Sequence, residues 1–163
     1  LDRLIAESAR GFYAEEEASR PEAVRPAIRQ LVYISIAPRR YTDSEMTALL
    51  AQCRRSNAAL GVTGVLLYKD GHFMQALEGP QDVVENLYAR ICRDPRHRDA
   101  IRMLDQTVDT RDFAEWSMGY RRLDRSDLPG DGFEDVLLKR GEPAEGESVS
   151  LHLLKRFAVN IGD

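Results

Sequence analysis

Residues 62–78, VTGVLLYKDGHFMQALE, are two apolar runs joined at Lys69-Asp70-Gly71 and predict a β-hairpin. Alternate residues of a strand share a face, so Phe73, Gln75 and Leu77 should point the same way. An amide between two apolar side chains costs about 1–3 kcal/mol if it has no hydrogen-bonding partner. We therefore expect a polar group, of the protein or of a flat hydrogen-bonding ligand, to meet Gln75.

Strand and helix patterns alternate around this hairpin. The predicted strands are residues 31–37, 62–68, 72–78, 101–108 and 117–123, and the predicted helices begin at the capping box Thr42-Asp43-Ser44-Glu45 and at Gly79-Pro80. The order β-α-β-β-α-β-β, with two helices on one face of a largely antiparallel sheet, predicts a ferredoxin-like α+β fold.

Further helix patterns lie on both sides of this unit. Residues 1–14 have an apolar stripe, and two more stripes lie around Phe133 and around Leu154. We expect an N-terminal helix and linker at 1–29, the main domain at 30–124 and a C-terminal helical extension at 125–163. The two helices of the extension could cover the second face of the sheet.

Charge and hydropathy restrict the class of protein. The formal net charge of −4 over 163 residues argues against direct binding of nucleic acid, which needs a basic surface. No stretch reaches the ~18 apolar residues of a membrane span, and no signal peptide is evident. Cys53 and Cys92 lie in apolar helical patterns and are expected to be buried in a reducing, cytoplasmic compartment. The missing initiator Met points to a trimmed chain or a fragment.

The sequence contains none of the common enzyme motifs. The segment at 61–64 is too short for a phosphate-binding loop, and no Ser, His and Asp form a nucleophile motif. His72, His97 and His152 are too scattered for a metal site. His97 lies among charged residues, where a solvated loop and a ligand contact are about equally plausible. We expect no enzyme activity.

Other side chains are open to two interpretations. Tyr33 in an apolar strand is usually core, although its buried phenol needs a partner, which Gln75 supplies if their strands are neighbours. Asn57 at a predicted helix end fits a C-cap or a ligand contact. Trp116 and Met118 share a predicted strand face, where core packing is the default, and Met can repack when a neighbour rotates.

Several separated motifs together resemble one family. They are Leu31-Val32-Tyr33-Ile34-Ser35, Asn57, residues 62–68, residues 73–79, Asp94-Pro95-Arg96-His97 and Trp116-Ser117-Met118. In order and spacing, over about residues 30–123, they resemble a BLUF domain, a blue-light sensor that uses FAD. The spacings of 24 positions from Tyr33 to Asn57 and 42 from Tyr33 to Gln75 fit that family.

The resemblance implies a photoactive switch. Tyr33 matches the family's tyrosine that gives an electron and a proton to the excited flavin. Gln75 matches the glutamine between that phenol and the flavin. Trp116 and Met118 match the strand residues whose rearrangement carries the signal.

The resemblance also implies a cofactor site, with the flavin ring between the two helices that cover the sheet. Asn57 matches the asparagine that hydrogen-bonds the polar edge of the ring. Asp94, Arg96 and His97 match a segment near the ring and its ribityl chain. FAD is the expected cofactor, and FMN is possible.

The implied function is a blue-light photoreceptor that signals to a partner protein or to an output module lost from this chain. A homodimer is expected, with the N-terminal helix as a candidate dimerisation element. The alternative is a flavin-free ferredoxin-like interaction module in which protein groups alone satisfy Gln75. A small enzyme on the same layout is a third, weaker option.

Overall fold

The computed structural model describes residues 27–123 and 146–160, which form five strands and three helices. The strands are β1 (Ile28–Ile36), β2 (Thr63–Lys69), β3 (His72–Pro80), β4 (Arg98–Val108) and β5 (Gly119–Arg122). The helices are α1 (Asp43–Leu60), α2 (Gln81–Arg93) and α3 (Val149–Asn160). The predicted α+β order is confirmed. The predicted helices at 1–14 and around Phe133 lie outside the described residues.

The strands form one mixed sheet in the order β4-β1-β3-β2-β5. Strand β1 runs antiparallel to β3 and β4, β2 runs antiparallel to β3, and the β2–β5 pair is parallel. The β2–β3 hairpin turns at Asp70 and Gly71, whose φ angles of 49° and 82° suit a two-residue turn. The β1–β3 register sets Tyr33 opposite Gln75.

Local sequence signals fix both ends of α1. The Thr42 hydroxyl accepts from the Glu45 N–H at 3.2 Å, and the Glu45 carboxylate accepts from the Thr42 N–H at 2.8 Å. This predicted capping box satisfies two of the unpaired donors at the helix start. Gly61 ends the helix in the left-handed conformation that favours glycine, with φ of 69°.

The two faces of the sheet have separate cores. Face A is the side covered by α1 and α2, and it includes Leu31, Tyr33, Met46, Leu66, Phe73, Leu77 and Val84. Face B is the side covered by α3, and it includes Val32, Val65, Met74, Ala76, Phe113, Leu151, Leu154 and Phe157. The expected cover of the second face is therefore present in α3, where complete burial of Leu154 contributes about 1.5–3 kcal/mol.

Two sequence-based expectations are wrong, one about Trp116 and Met118 and one about Cys92. Strand β5 begins only at Gly119, so Trp116 and Met118 precede it and do not share a strand face. Met118 packs on face A and Trp116 on face B, because side chains alternate strictly only in extended backbone and the chain bends at residues 117–118. Cys92 is exposed, since it lies beside the buried stripe of α2 rather than in it.

Within the described ranges, no helix combines the length and apolar character that a membrane crossing requires.

Candidate functional site

A cleft on face A lies between α1, α2 and the sheet. Its volume is about 130 Å³, whereas one water needs only about 10–15 Å³ in the same measure. Apolar side chains of Leu49, Leu66, Leu77, Leu87 and Ile91 line part of it, together with Gln52, Cys53, Ser56, Asn57, Gln75, Arg90, Asp94, Arg96 and His97. Apolar walls with amide and guanidinium groups suit a flat ligand that has a hydrogen-bonding edge and an anionic part.

Gln75 connects the cleft to two buried side chains. The Tyr33 hydroxyl donates to Gln75 Oε1, and Gln75 Nε2 donates to Met118 Sδ at 3.3 Å. Burial raises the pKa of Tyr33 well above its ordinary value, so the phenol keeps its proton and acts as a donor. The amide is therefore oriented by a hydroxyl on one side and by a weakly accepting thioether on the other.

Asn57 lies inside α1 and lines the cleft. The helix continues to Leu60 and Gly61 takes the C-cap, so the C-cap interpretation of Asn57 is wrong. Its Nδ2 donates to the Ser117 carbonyl at 2.8 Å, which ties α1 to the loop before β5. Its side chain also forms part of the cleft wall.

Asp94 and Arg96 form a hydrogen-bonded turn at the end of α2. The Asp94 carboxylate accepts from the Arg96 backbone N–H at 2.9 Å and from its guanidinium at 2.6 to 3.0 Å. These hydrogen bonds hold the pKa of Asp94 below its ordinary value. Arg96 also donates to Gln52 Oε1 at 3.3 Å, so it spans the cleft from α2 to α1.

His97 is half-buried against Tyr33 rather than standing in a solvated loop. Its Nδ1 lies 2.9 Å from the Ser35 hydroxyl, and its ring meets the Tyr33 ring edge-on at 6.0 Å between centroids. Burial lowers the pKa of His97 to about 4, so the ring is neutral at pH 7. A neutral imidazole at the cleft offers hydrogen bonding without charge.

The structure thus brings together most of the predicted site residues. Asn57, Gln75, Asp94, Arg96 and His97 line one cleft, and Tyr33 and Met118 join it through Gln75. Trp116 is separate, since it packs on face B.

Two contributors had no role in the sequence-based prediction of the switch. Ser35 holds His97, and its position two residues after Tyr33 on β1 places both side chains on face A. Arg54 donates from Nε to the Met118 carbonyl at 2.9 Å. Its spacing of one turn before Asn57 is the signal that could have found it.

The comparison with protein families matches the same part of the chain. Residues 28–119, more than half of the chain, match the family described as BLUF, sensors of blue light using FAD. A photoactivated adenylate cyclase subunit beta of Euglena longa is 42% identical over 89 residues, which are 54% of this chain and 10% of that protein. The chain therefore spans about a tenth of the length of this relative.

Solved structures share the fold. The dark-state structure of BlrB, a BLUF protein, has a TM-score of 0.57 and 30% identity, covering 69% of this chain and 91% of that one. Klebsiella pneumoniae BlrP1 with FMN and cyclic diGMP has a TM-score of 0.66 and 29% identity, covering 80% of this chain and 35% of that one.

Proposed function

The chain belongs to the BLUF family of blue-light sensors that use FAD, and we propose that Tyr33, Gln75 and Met118 form its light switch. Membership makes the domain a flavin-binding photoreceptor, a sensor rather than an enzyme. The observation that carries the proposal is the position of the Gln75 amide, in the cleft wall between the Tyr33 phenol and Met118 Sδ.

The donor set of the cleft fits a flavin. Its leucine and isoleucine walls suit the faces of a fused ring, and the amides of Asn57 and Gln75 suit an edge that carries both carbonyl and N–H groups. Arg90 and Arg96 supply positive charge for a phosphate-bearing chain, with Arg96 oriented by Asp94. FAD is the proposed form, and FMN, which the BlrP1 structure contains, is the second.

The flavin, when bound, absorbs blue light and in its excited state accepts an electron and a proton. Tyr33 is the proposed source of both, because its buried phenol is protonated and lies next to Gln75. Loss of that proton removes the donor that orients Gln75 Oε1. The amide can then rotate or tautomerise, which changes the group that faces the cleft from acceptor to donor or the reverse.

Met118 responds to the same rotation. It accepts a hydrogen bond from Gln75 Nε2, and a thioether with three rotatable bonds repacks at little cost. A donor newly turned toward the cleft strengthens the hydrogen bond to a ligand carbonyl, which shifts flavin absorption to the red. The switch therefore changes its hydrogen bonding without converting a substrate.

Output is proposed to pass to a partner protein or to a joined module, as in photoactivated adenylate cyclase, where the matched segment is a small part of the protein. Residues 30–124 are the proposed sensor domain, 1–29 an N-terminal helix and linker that could support a homodimer, and 125–163 the signalling extension. Trp116 is proposed to belong to the output path because it packs in the cluster that contains α3.

The test is the visible spectrum of the purified protein before and during blue illumination. A flavin spectrum with a reversible red shift is expected for the wild type, and Tyr33→Phe should bind flavin without shifting. Tyr88→Phe is the matched control, since its ring lies 5.4 Å from that of Tyr33 between centroids. A colourless protein, or a full red shift in Tyr33→Phe, would contradict the proposal.

A further inference from the structure

A buried carboxylate on face B, that of Glu78, takes no part in the cleft. Glu78 has no exposed surface, and its two oxygens accept hydrogen bonds from four groups. Oε1 accepts from the Asp112 N–H at 2.7 Å and from Gln30 Nε2 at 2.8 Å. Oε2 accepts from the Phe113 N–H at 3.0 Å and from the Thr63 hydroxyl at 3.3 Å. Burial raises the pKa of Glu78, and the hydrogen bonds from Gln30 and from the two backbone N–H groups offset part of that rise.

The turn that Glu78 binds is the start of the loop that ends at Met118. Within that loop the Trp116 N–H donates to the Phe113 carbonyl at 3.2 Å, and the Trp116 carbonyl accepts from the Gly64 N–H at 2.9 Å. The far end of the loop is held by α1, because Asn57 donates to the Ser117 carbonyl and Arg54 to the Met118 carbonyl. The place of Met118 Sδ beside Gln75 therefore depends on a loop that Glu78 anchors from the opposite face of the sheet.

The same turn also contacts α3. Asp112 Oδ2 accepts from the Ser150 hydroxyl at 2.7 Å and from Gln30 Nε2 at 2.8 Å. Ser150 lies in the first turn of α3 and has no exposed surface. A continuous path of hydrogen bonds thus leads from Glu78 through Asp112 to α3, with Gln30 bridging the two carboxylates.

We propose that Glu78 is a positioning residue that couples the contact between Gln75 and Met118 to α3, through Asp112 and Ser150. This rests on the proposed light switch and names the route by which its rearrangement leaves the site. A shift of Met118 moves a loop whose other end is bonded to Glu78, and the bond between Asp112 and Ser150 passes that movement to α3.

Glu78→Gln is the decisive variant because it keeps the size of the side chain and removes one acceptor. Whichever way the new amide turns, its NH₂ faces the backbone N–H of Asp112 or of Phe113, so one of the two anchoring bonds is lost. Ser150→Ala cuts the path further along and leaves both anchoring bonds intact. Val32→Ala is the matched control, since it loosens the face B core without touching the path.

The experiment uses the full chain with bound flavin and measures the red shift, the rate of dark recovery and the light-minus-dark hydrogen exchange of α3. Glu78→Gln should change the recovery rate about threefold or more, the effect of one hydrogen bond on a barrier, and abolish the exchange difference in α3. Ser150→Ala should keep the red shift and recovery rate and lose the exchange difference. Val32→Ala should keep all three.

The outcomes separate this inference from the function on which it rests. A wild type without a red shift would overturn the proposed function and this inference with it. A wild type that shifts would overturn the inference alone if it showed no exchange difference in α3, or if Glu78→Gln or Ser150→Ala kept that difference. Loss of that difference in Val32→Ala would also overturn it, because general loosening would then suffice. Should Glu78→Gln fail to fold, the exchange result for Ser150→Ala decides.

Discussion

Replacing Tyr33 by Phe should destabilise the flavin-free protein through Gln75 rather than through packing. Tyr33 is fully buried, and its hydroxyl is the donor to Gln75 Oε1. Phe keeps the ring contacts with Tyr88 and His97, at 5.4 and 6.0 Å between centroids. What remains is a buried carbonyl oxygen without its donor, which costs about 1–3 kcal/mol. With a urea dependence of about 2 kcal/mol per molar, the unfolding midpoint should fall by about 1 M.

A double-mutant cycle tests whether loss of the hydrogen bond between Tyr33 and Gln75 causes this destabilisation. Gln75→Leu alone leaves the Tyr33 hydroxyl without its acceptor, whereas Tyr33→Phe combined with Gln75→Leu removes both polar partners and should recover much of the loss. Urea unfolding of the four flavin-free proteins should give a coupling free energy of about 1 kcal/mol or more. Effects that add to within about 0.5 kcal/mol would refute the shared buried hydrogen bond.

Three further predictions address the cleft and its support. Asn57→Ala should weaken flavin binding about 5- to 30-fold, the effect of losing one edge contact, as measured by flavin fluorescence titration; unchanged affinity would leave Asn57 only its bond to Ser117. Gly64→Ala should prevent stable folding, because the added Cβ would lie 2.0 Å from the Ala76 backbone oxygen, and a wild-type melting curve by circular dichroism would contradict this. The pKa of His97, lowered to about 4 from 6.5, means that the unfolded chain binds the proton first. Stability of the flavin-free protein should therefore be intact above pH 6.5, fall by about 3 kcal/mol toward pH 4 and then level off; an equal pH slope in the His97→Gln variant would assign the loss to another group.

Much of the fold could be predicted because its signals are local. The Asp70-Gly71 turn, the capping box at Thr42 and the strand alternation around Gln75 each act within a few residues. The polar group expected opposite Gln75 was found in Tyr33, since the two residues are directly paired across β1 and β3.

The predictions failed where tertiary geometry decides. Trp116 and Met118 were assigned to one face by strand alternation, which does not apply to the bent loop that carries them. The partners of Glu78 are equally hidden from sequence patterns, because Gln30 and Asp112 are 48 and 34 positions away. Such contacts depend on strand order and loop path, which no short-range periodicity encodes.

Alternate side chains of β3 face two different parts of the molecule, the cleft and α3. Its odd-numbered side chains, such as Gln75, lie on the cleft side, and its even-numbered ones, such as Met74 and Glu78, lie on the α3 side. Substitutions at different positions of β3 can therefore be used to adjust the absorption spectrum and the output of this chain. A library confined to odd positions would vary absorption, and one confined to even positions would vary signalling and, through Glu78, the rate of dark recovery.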